Sequence, residues 1–222
     1  MPPPPLLNVE FGKITQDNVE QLRMINTTCF PVSYQEKYYK DVISSPAGQN
    51  NEGLSKLAYV GGFVVGATSS RIEDITTTTT TDSDAAVKDA NDDESDNKKK
   101  NADVGDDDGG GGDKNNSNSS KKKKQQRIYI MTLGVLPAYR GRGIGTKLIQ
   151  SILDYFEHNM TSCEEGLKDV TEVSLHVHVE NQDAINFYTQ KFGFLKGERV
   201  ENYYNKRSVD PPHSIRLYKP LR

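Results

Sequence analysis

The chain has 222 residues, with 28 Lys and Arg against 31 Asp and Glu, 34% hydrophobic residues, two cysteines and no tryptophan. The net charge of −3 divides into −4 for residues 74–126 and +1 for the rest, with no direct nucleic-acid binding expected, and no apolar run is long enough to cross a bilayer. Cys29 and Cys163 supply neither a disulfide framework nor a metal-ligand spacing, so no metal is expected. The opening M-P-P-P-P-L-L reads as a polyproline lead-in and not as a secretory leader. The expectation is a cytoplasmic protein, with the nucleus as a second compartment, in which the sequons at Asn26 and Asn159 go unused.

In chain order, Leu6–Ile14 alternates as a strand does, and Thr15–Thr28 places Val19, Leu22 and Ile25 at helical spacing behind Thr15 or Asp17 as N-cap. Tyr34–Ile43 is a second helix. Leu54–Val60 and Phe63–Ile72 form a hairpin about Gly61-Gly62. Residues 74–126 then change character, with T-T-T-T-T-T-D-S-D, D-D-D-G-G-G-G-D and K-K-K-K. This segment carries 13 acidic and 9 basic residues and almost no large apolar ones. It cannot bury enough surface to offset its ordering entropy and is expected to be a disordered insertion in a single 1–222 domain. Its charges alternate in blocks, which argues against a nucleic-acid arm, and Lys121–Lys124 reads as a solvated linker end.

Beyond it, Arg127–Val135 is a strand, a helix runs from Ile144 to about His158, Thr171–Val179 is a strand and Asp183–Lys191 a helix. Phe194–Val200 and Ser214–Tyr218 close the chain as strands. The order predicts an α/β protein of α+β type: a mixed, mostly antiparallel sheet of about seven strands flanked by about four helices.

The stretch Y-R-G-R-G-I-G-T-K-L-I, residues 139–149, lies between strand and helix. Glycine-rich turns ahead of helices bind phosphates, because free N–H groups and the positive helix end point at the ligand. A Walker loop is excluded by Thr146, and a dinucleotide fingerprint fails for the same residue. What fits is R-x-x-G-x-G, namely Arg140, Gly143 and Gly145. Arg140 and Arg142 suit a multiply charged anion, Gly143 and Gly145 a close backbone approach to a pyrophosphate, and the helix from Ile144 its charge.

With this loop, the run N-x-x-A-I-x-F-Y-x-x-x-x-G-F from Asn181 makes the sequence resemble the GNAT acetyltransferases. F-P-V-S-Y at 30–34, Y-I-M-T-L-G-V at 129–135, L-H-V at 175–177, N-Q-D-A-I-N-F-Y at 181–188 and N-Y-Y at 202–204 are similar to the NatE catalytic-subunit family of N-terminal acetyltransferases. The resemblance covers nearly the whole chain outside the insertion. It implies the GNAT fold, acetyl-coenzyme A as cosubstrate, and acetylation of the α-amine of nascent proteins that keep Met before a hydrophobic residue. It also implies association with the auxiliary and catalytic subunits of the NatA complex at the ribosome. Lysine or small-amine acetylation, and a non-catalytic binding subunit of that complex, are the alternatives.

Acetyl transfer to an amine needs a base for the ammonium, a polarised thioester carbonyl and help for the leaving thiolate. By strand alternation, Tyr129, Met131 and Leu133 share one face and Ile128, Ile130 and Thr132 the other. His176 and His178 lie opposite Val173, Leu175 and Val177. A tyrosine in a strand is more often packing, and a strand histidine more often structural. The resemblance implies that Tyr129 and His176 act together as general base through ordered water, and that Tyr188 is the general acid. It gives His178 no role. A bulge at Leu133-Gly134 is expected to splay the strands and expose an edge for the pantetheine arm. Coenzyme binding then falls to Leu133, Gly134, Val135, Arg140, Gly141, Arg142, Gly143, Ile144, Gly145, Thr146, Asn181, Ala184 and Tyr188. Phe30, Pro31, Val32, Tyr34, Met131, Tyr203 and Tyr204 are the expected peptide lining. In the family the third and fourth strands are joined by a short loop, where this chain carries its insertion.

Overall fold

The computed structural model describes residues 7–44, 54–75, 125–161 and 167–221. These form seven strands and four α-helices: β1 Glu10–Lys13, α1 Val19–Cys29, α2 Glu36–Ser44, β2 Lys56–Val60, β3 Phe63–Asp74, β4 Gln126–Val135, α3 Ile144–Thr161, β5 Val170–His178, α4 Gln182–Asn186, β6 Leu195–Val200 and β7 Ser214–Pro220. The strands make one sheet in the order β1-β2-β3-β4-β5-β7-β6. Every neighbouring pair is antiparallel except β4 and β5, which are parallel and joined through α3.

Each face of the sheet is covered by a helix with a matching apolar stripe. Val19, Leu22 and Ile25 of α1, with Tyr39 and Val42 of α2, bury against Leu57 and Ala67. On the other face Ile149, Ile152, Leu153 and Phe156 of α3 bury against Ile128, Ile130, Val173, Leu175 and Val177, joined by Ile185 and Tyr188. Ile144 and Leu148 extend that contact to Ala58 and Val65.

Several boundaries move from their predicted places. The first strand shortens to four residues at the sheet edge. Asn18, not Thr15 or Asp17, precedes α1, and its side chain accepts from Thr15 N–H and donates to Lys13 O, closing the turn from outside the helix. The β3–β4 ladder reaches into the predicted insertion: Asp74 pairs with Gln126, and Ile75 N–H donates to Gln125 O at 2.8 Å. The remainder of that segment, Lys121–Lys124 included, and Cys163 lie outside the described residues. The sequon residue Asn26 is buried in the helix–sheet interface.

The bulge in β4 falls at Met131 and not at Leu133-Gly134. Ser69 pairs with Thr132 and Ser70 with Ile130, so Met131 is the extra residue. Gly134 serves a different need. A Cβ there would lie 3.0 Å from Ile25 and 3.1 Å from Cys29, so the missing side chain lets α1 approach the sheet. The bulge also corrects the predicted faces. Thr132 turns to the α1–α2 side with Met131, while Leu133 packs on the α3 side.

Candidate active site

The β4–β5 ladder runs from Gln126 and Val170 to Tyr129 and Ser174 and stops there. Beyond this point β4 continues to Val135 and β5 to His178, past the β4 bulge. A cavity of about 1070 Å³ lies between the diverging strands, the glycine loop, the Phe30–Tyr34 segment, α4 and the β6–β7 connection. Every predicted site residue except Arg142 lines it.

One half of this cavity has backbone features that suit a phosphate-bearing ligand. After β4 a single 3-10 turn, Pro137–Tyr139, leads into Gly141 at φ 72° and Gly143 at φ 81°. A Cβ added at either glycine meets nothing within 4 Å, so glycine is needed for the backbone path and not for room. Lys147 N–H donates to Gly143 O at 3.0 Å as the first helical bond of α3. The N–H groups of Ile144, Gly145 and Thr146 come before it, where a helix offers no acceptor of its own, an arrangement that suits an anion. Arg140 Nε donates to Val135 O at 3.0 Å and braces the loop on the strand end. The same guanidinium lies beside Cys29, whose thiol burial pushes up in pKa. Arg142 lies over the Tyr139 ring, 5.9 Å from its centroid.

Asn181 caps α4, its Oδ1 accepting from Ala184 N–H at 3.1 Å. The predicted single helix 183–191 divides here, with α4 ending at Asn186 and a π-helical turn running from Phe187 to Lys191. Such turns place side chains off the α-helical register and recur at functional sites. This one lays Phe187 against Gly145 and packs Tyr188 between Phe187 and Phe194. Tyr188 is buried at the cavity wall, and burial pushes its phenol well above the ordinary tyrosine value.

The other half is aromatic. Tyr129 Oη stands 3.0 Å from His176 Nδ1 and 2.7 Å from Tyr203 Oη. His176 stacks on Tyr203, with centroids 4.5 Å apart and planes 20° from parallel. Tyr129 is 4% exposed. Burial drives its pKa well above the ordinary value, opposed by the hydrogen bond with Tyr203. Its hydroxyl is therefore neutral at physiological pH, able to relay a proton but not to hold a negative charge. Tyr34, on an edge-to-face contact with Phe30 at 6.2 Å, and Tyr204 are also raised by burial. His178 shares the face of His176 but donates from Nε2 to Pro211 O at 2.6 Å, bracing the loop that carries Tyr203 and Tyr204.

Sequence reasoning missed the charges around Tyr129. Arg71 and Arg127 lie 5.5 and 5.4 Å from its ring centroid, and Glu73 pairs with both at 2.7 and 2.6 Å. Arg71 stands opposite Tyr129 and Glu73 opposite Arg127. That register spans the insertion, so no local pattern reveals it. Among the described residues no group of three His, Cys, Asp or Glu could hold a metal ion.

The pattern that defines the acetyltransferase (GNAT) family matches residues 109–194. The chain is 34% identical over 214 residues to N-alpha-acetyltransferase 50 of Danio rerio, covering 96% of this chain and 89% of that protein. It is 33% identical to the probable N-acetyltransferase san of Drosophila melanogaster, covering 97% and 82%. Among solved structures, Arabidopsis thaliana Naa50 in complex with the bisubstrate analogue CoA-Ac-MVNAL superposes with a TM-score of 0.61 at 31% identity, covering 95% of this chain and 97% of that one. Arabidopsis thaliana NAA60 with acetyl-CoA has a TM-score of 0.60 at 21% identity and shares the fold.

Proposed function

The chain belongs to the GNAT acetyltransferase family as an N-alpha-acetyltransferase that uses acetyl-coenzyme A, and we propose that it acetylates the α-amine of nascent proteins that keep Met before a hydrophobic residue. The observation that carries this reading is the Tyr129, His176 and Tyr203 cluster, set where β4 and β5 part and facing the glycine loop across one cavity.

The chemistry follows from the groups present. Bound acetyl-coenzyme A supplies an activated acyl group. Gly141, Gly143 and the N–H groups at the start of α3 hold its pyrophosphate, with Arg140 bracing the loop. Asn181, Ala184 and the open edge of β4 flank its arm, and an N–H of that edge polarises the thioester carbonyl. The ammonium must shed one proton before attack, and the nitrogen sheds a second after it, which balances the proton taken up at the departing sulfur. An α-ammonium has a pKa of about 7.7–8.0 against about 10.4 for lysine, so a mild base suffices for the α-amine and not for lysine. Tyr129 takes the first proton through ordered water as its own passes to His176 Nδ1, which keeps Tyr129 neutral throughout. Tyr188 offers its hydroxyl to the departing sulfur. Transfer is direct, within a ternary complex.

Phe30, Pro31, Val32, Tyr34, Met131, Tyr203 and Tyr204 form an apolar and aromatic wall that suits Met and its hydrophobic neighbour better than a polyamine. The analogue bound by the Arabidopsis relative carries Met followed by Val, which supports the same preference. Further parts of the reading are a single domain that tolerates its insertion, a cytoplasmic and nuclear location, and docking with NatA subunits at the ribosome. Thiol release from acetyl-coenzyme A with peptides beginning Met-Leu, Ser-Glu and Asp-Asp tests the specificity. Turnover confined to Met-Leu is the expected result; preference for spermidine or for an N-terminally blocked lysine peptide would overturn it.

A further inference from the structure

The Met131 bulge creates a problem for β4. It turns Thr132 toward α1 and α2, into an interface lined by Leu22, Ile25, Leu57 and Ala67. A hydroxyl buried there costs stability unless it is hydrogen-bonded. Three hydroxyls answer the need together. Tyr38 Oη lies 2.6 Å from Ser69 Oγ and 3.1 Å from Thr132 Oγ1, and Ser69 Oγ lies 2.7 Å from Thr132 Oγ1. In this closed triangle each oxygen can donate once and accept once. Asn26 Nδ2 adds a donor to Tyr38 at 3.4 Å, and Thr68 Oγ1 donates to Thr132 O at 3.0 Å.

The triangle decides the strand register. A one-residue slip that removed the bulge would send either Tyr129 or Leu133 to the wrong face of the sheet. It would also leave Thr132 without these partners. Tyr38 is the member that reaches in from a helix, and its ring packs on Tyr34 of the peptide wall at 4.6 Å between centroids. One side chain thus touches both the wall that receives the peptide and the bulge that shapes the acetyl-binding edge.

We propose that Tyr38 is a positioning residue of acetyl transfer, its hydroxyl holding the Met131–Thr132 bulge so that the β4 edge and Tyr129 meet the two substrates in register. This rests on the α-amine acetyltransferase reading and deepens it. None of the three hydroxyls lies in the glycine loop to which that reading assigns the coenzyme pyrophosphate.

Tyr38→Phe keeps the ring and removes only the hydroxyl. With a Met-Leu peptide it lowers kcat about five- to tenfold, the size of one lost hydrogen bond. The acetyl-coenzyme A dissociation constant measured without peptide stays within about twofold, the protein remains folded at the assay temperature, and amide exchange quickens at Met131–Leu133. Thr132→Val gives a similar loss, and the double variant is no slower than the slower single one, since both break the same triangle. Unchanged kcat in Tyr38→Phe, losses that multiply in the double variant, or a loss matched by the unfolded fraction would each overturn the proposal. If the wild type acetylates a different amine, the same comparison is read with that amine. Failure of the substrate reading then shows in the wild type, and failure of this inference in the variants.

Discussion

The two halves of the cavity are made of different material. The coenzyme half is backbone: two positive-φ glycines, the first turn of α3 and the open edge of β4. The peptide half is side chain: Tyr129, His176, Tyr203, Tyr204 and Tyr34 come from β4, β5, the β6–β7 connection and the loop before α2. The backbone half suits what every substrate pair would share, the cosubstrate, and it depends mainly on one loop. The side-chain half, to which the proposed mechanism gives the chemistry and the choice of peptide, exists only when distant segments are packed correctly.

Substitutions in the two halves should therefore fail in different ways. The largest effect is expected in the peptide half. Tyr129→Phe and His176→Phe each lower kcat by about 100-fold or more, the range of general acid–base catalysis, while calorimetry finds coenzyme binding intact. Gly143→Ala should do the reverse. Its Cβ has room, but φ 81° is unfavourable for alanine. The KM for acetyl-coenzyme A rises about tenfold, with kcat close to wild type. Tyr203→Phe removes the 2.7 Å bond to Tyr129 and costs about fivefold in kcat/KM, with the stacked ring retained.

Alkaline pH gives a smaller, graded test of the aromatic half. Tyr34, Tyr38, Tyr129, Tyr188 and Tyr204 all have folded pKa values raised by burial. The unfolded chain then loses protons first. The stability these groups lend is full below about pH 10, the ordinary tyrosine value, and falls as pH rises toward the folded values. Urea midpoints measured between pH 8 and pH 11 should fall most steeply above that point, after a smaller fall from the buried Cys29 thiol at lower pH. The smallest effect is expected from replacing residues 76–124 with a two-residue turn. Asp74 and Gln126 are already paired, so kcat/KM should stay within about twofold.

The same contrast explains what was legible. The order of elements and the glycine loop could be read because each is local: Gly141 and Gly143 carry their conformational requirement in their own identity. Alternation could place Tyr129 and His176 each on one face of its own strand, yet their roles came from resemblance, since nothing local separates a relay tyrosine from a packed one. The bulge was misplaced because Gly134 offered a plausible signal whose real cause, the approach of Ile25 and Cys29, lies more than a hundred residues earlier. Tyr38 and the Arg71, Glu73 and Arg127 group went unread for the same reason, because each depends on a register between distant segments.

An N-alpha-acetyltransferase must place the acetyl group on the amino-terminal nitrogen and not on a lysine side chain. The most direct measurement is to offer a Met-Leu peptide that also contains an internal lysine and to locate the added acetyl group by fragment mass spectrometry at early conversion. Acetyl on the amino-terminal nitrogen, absent with Tyr129→Phe and His176→Phe, is the expected result. Acetyl on the lysine with the amino terminus left free would contradict the account.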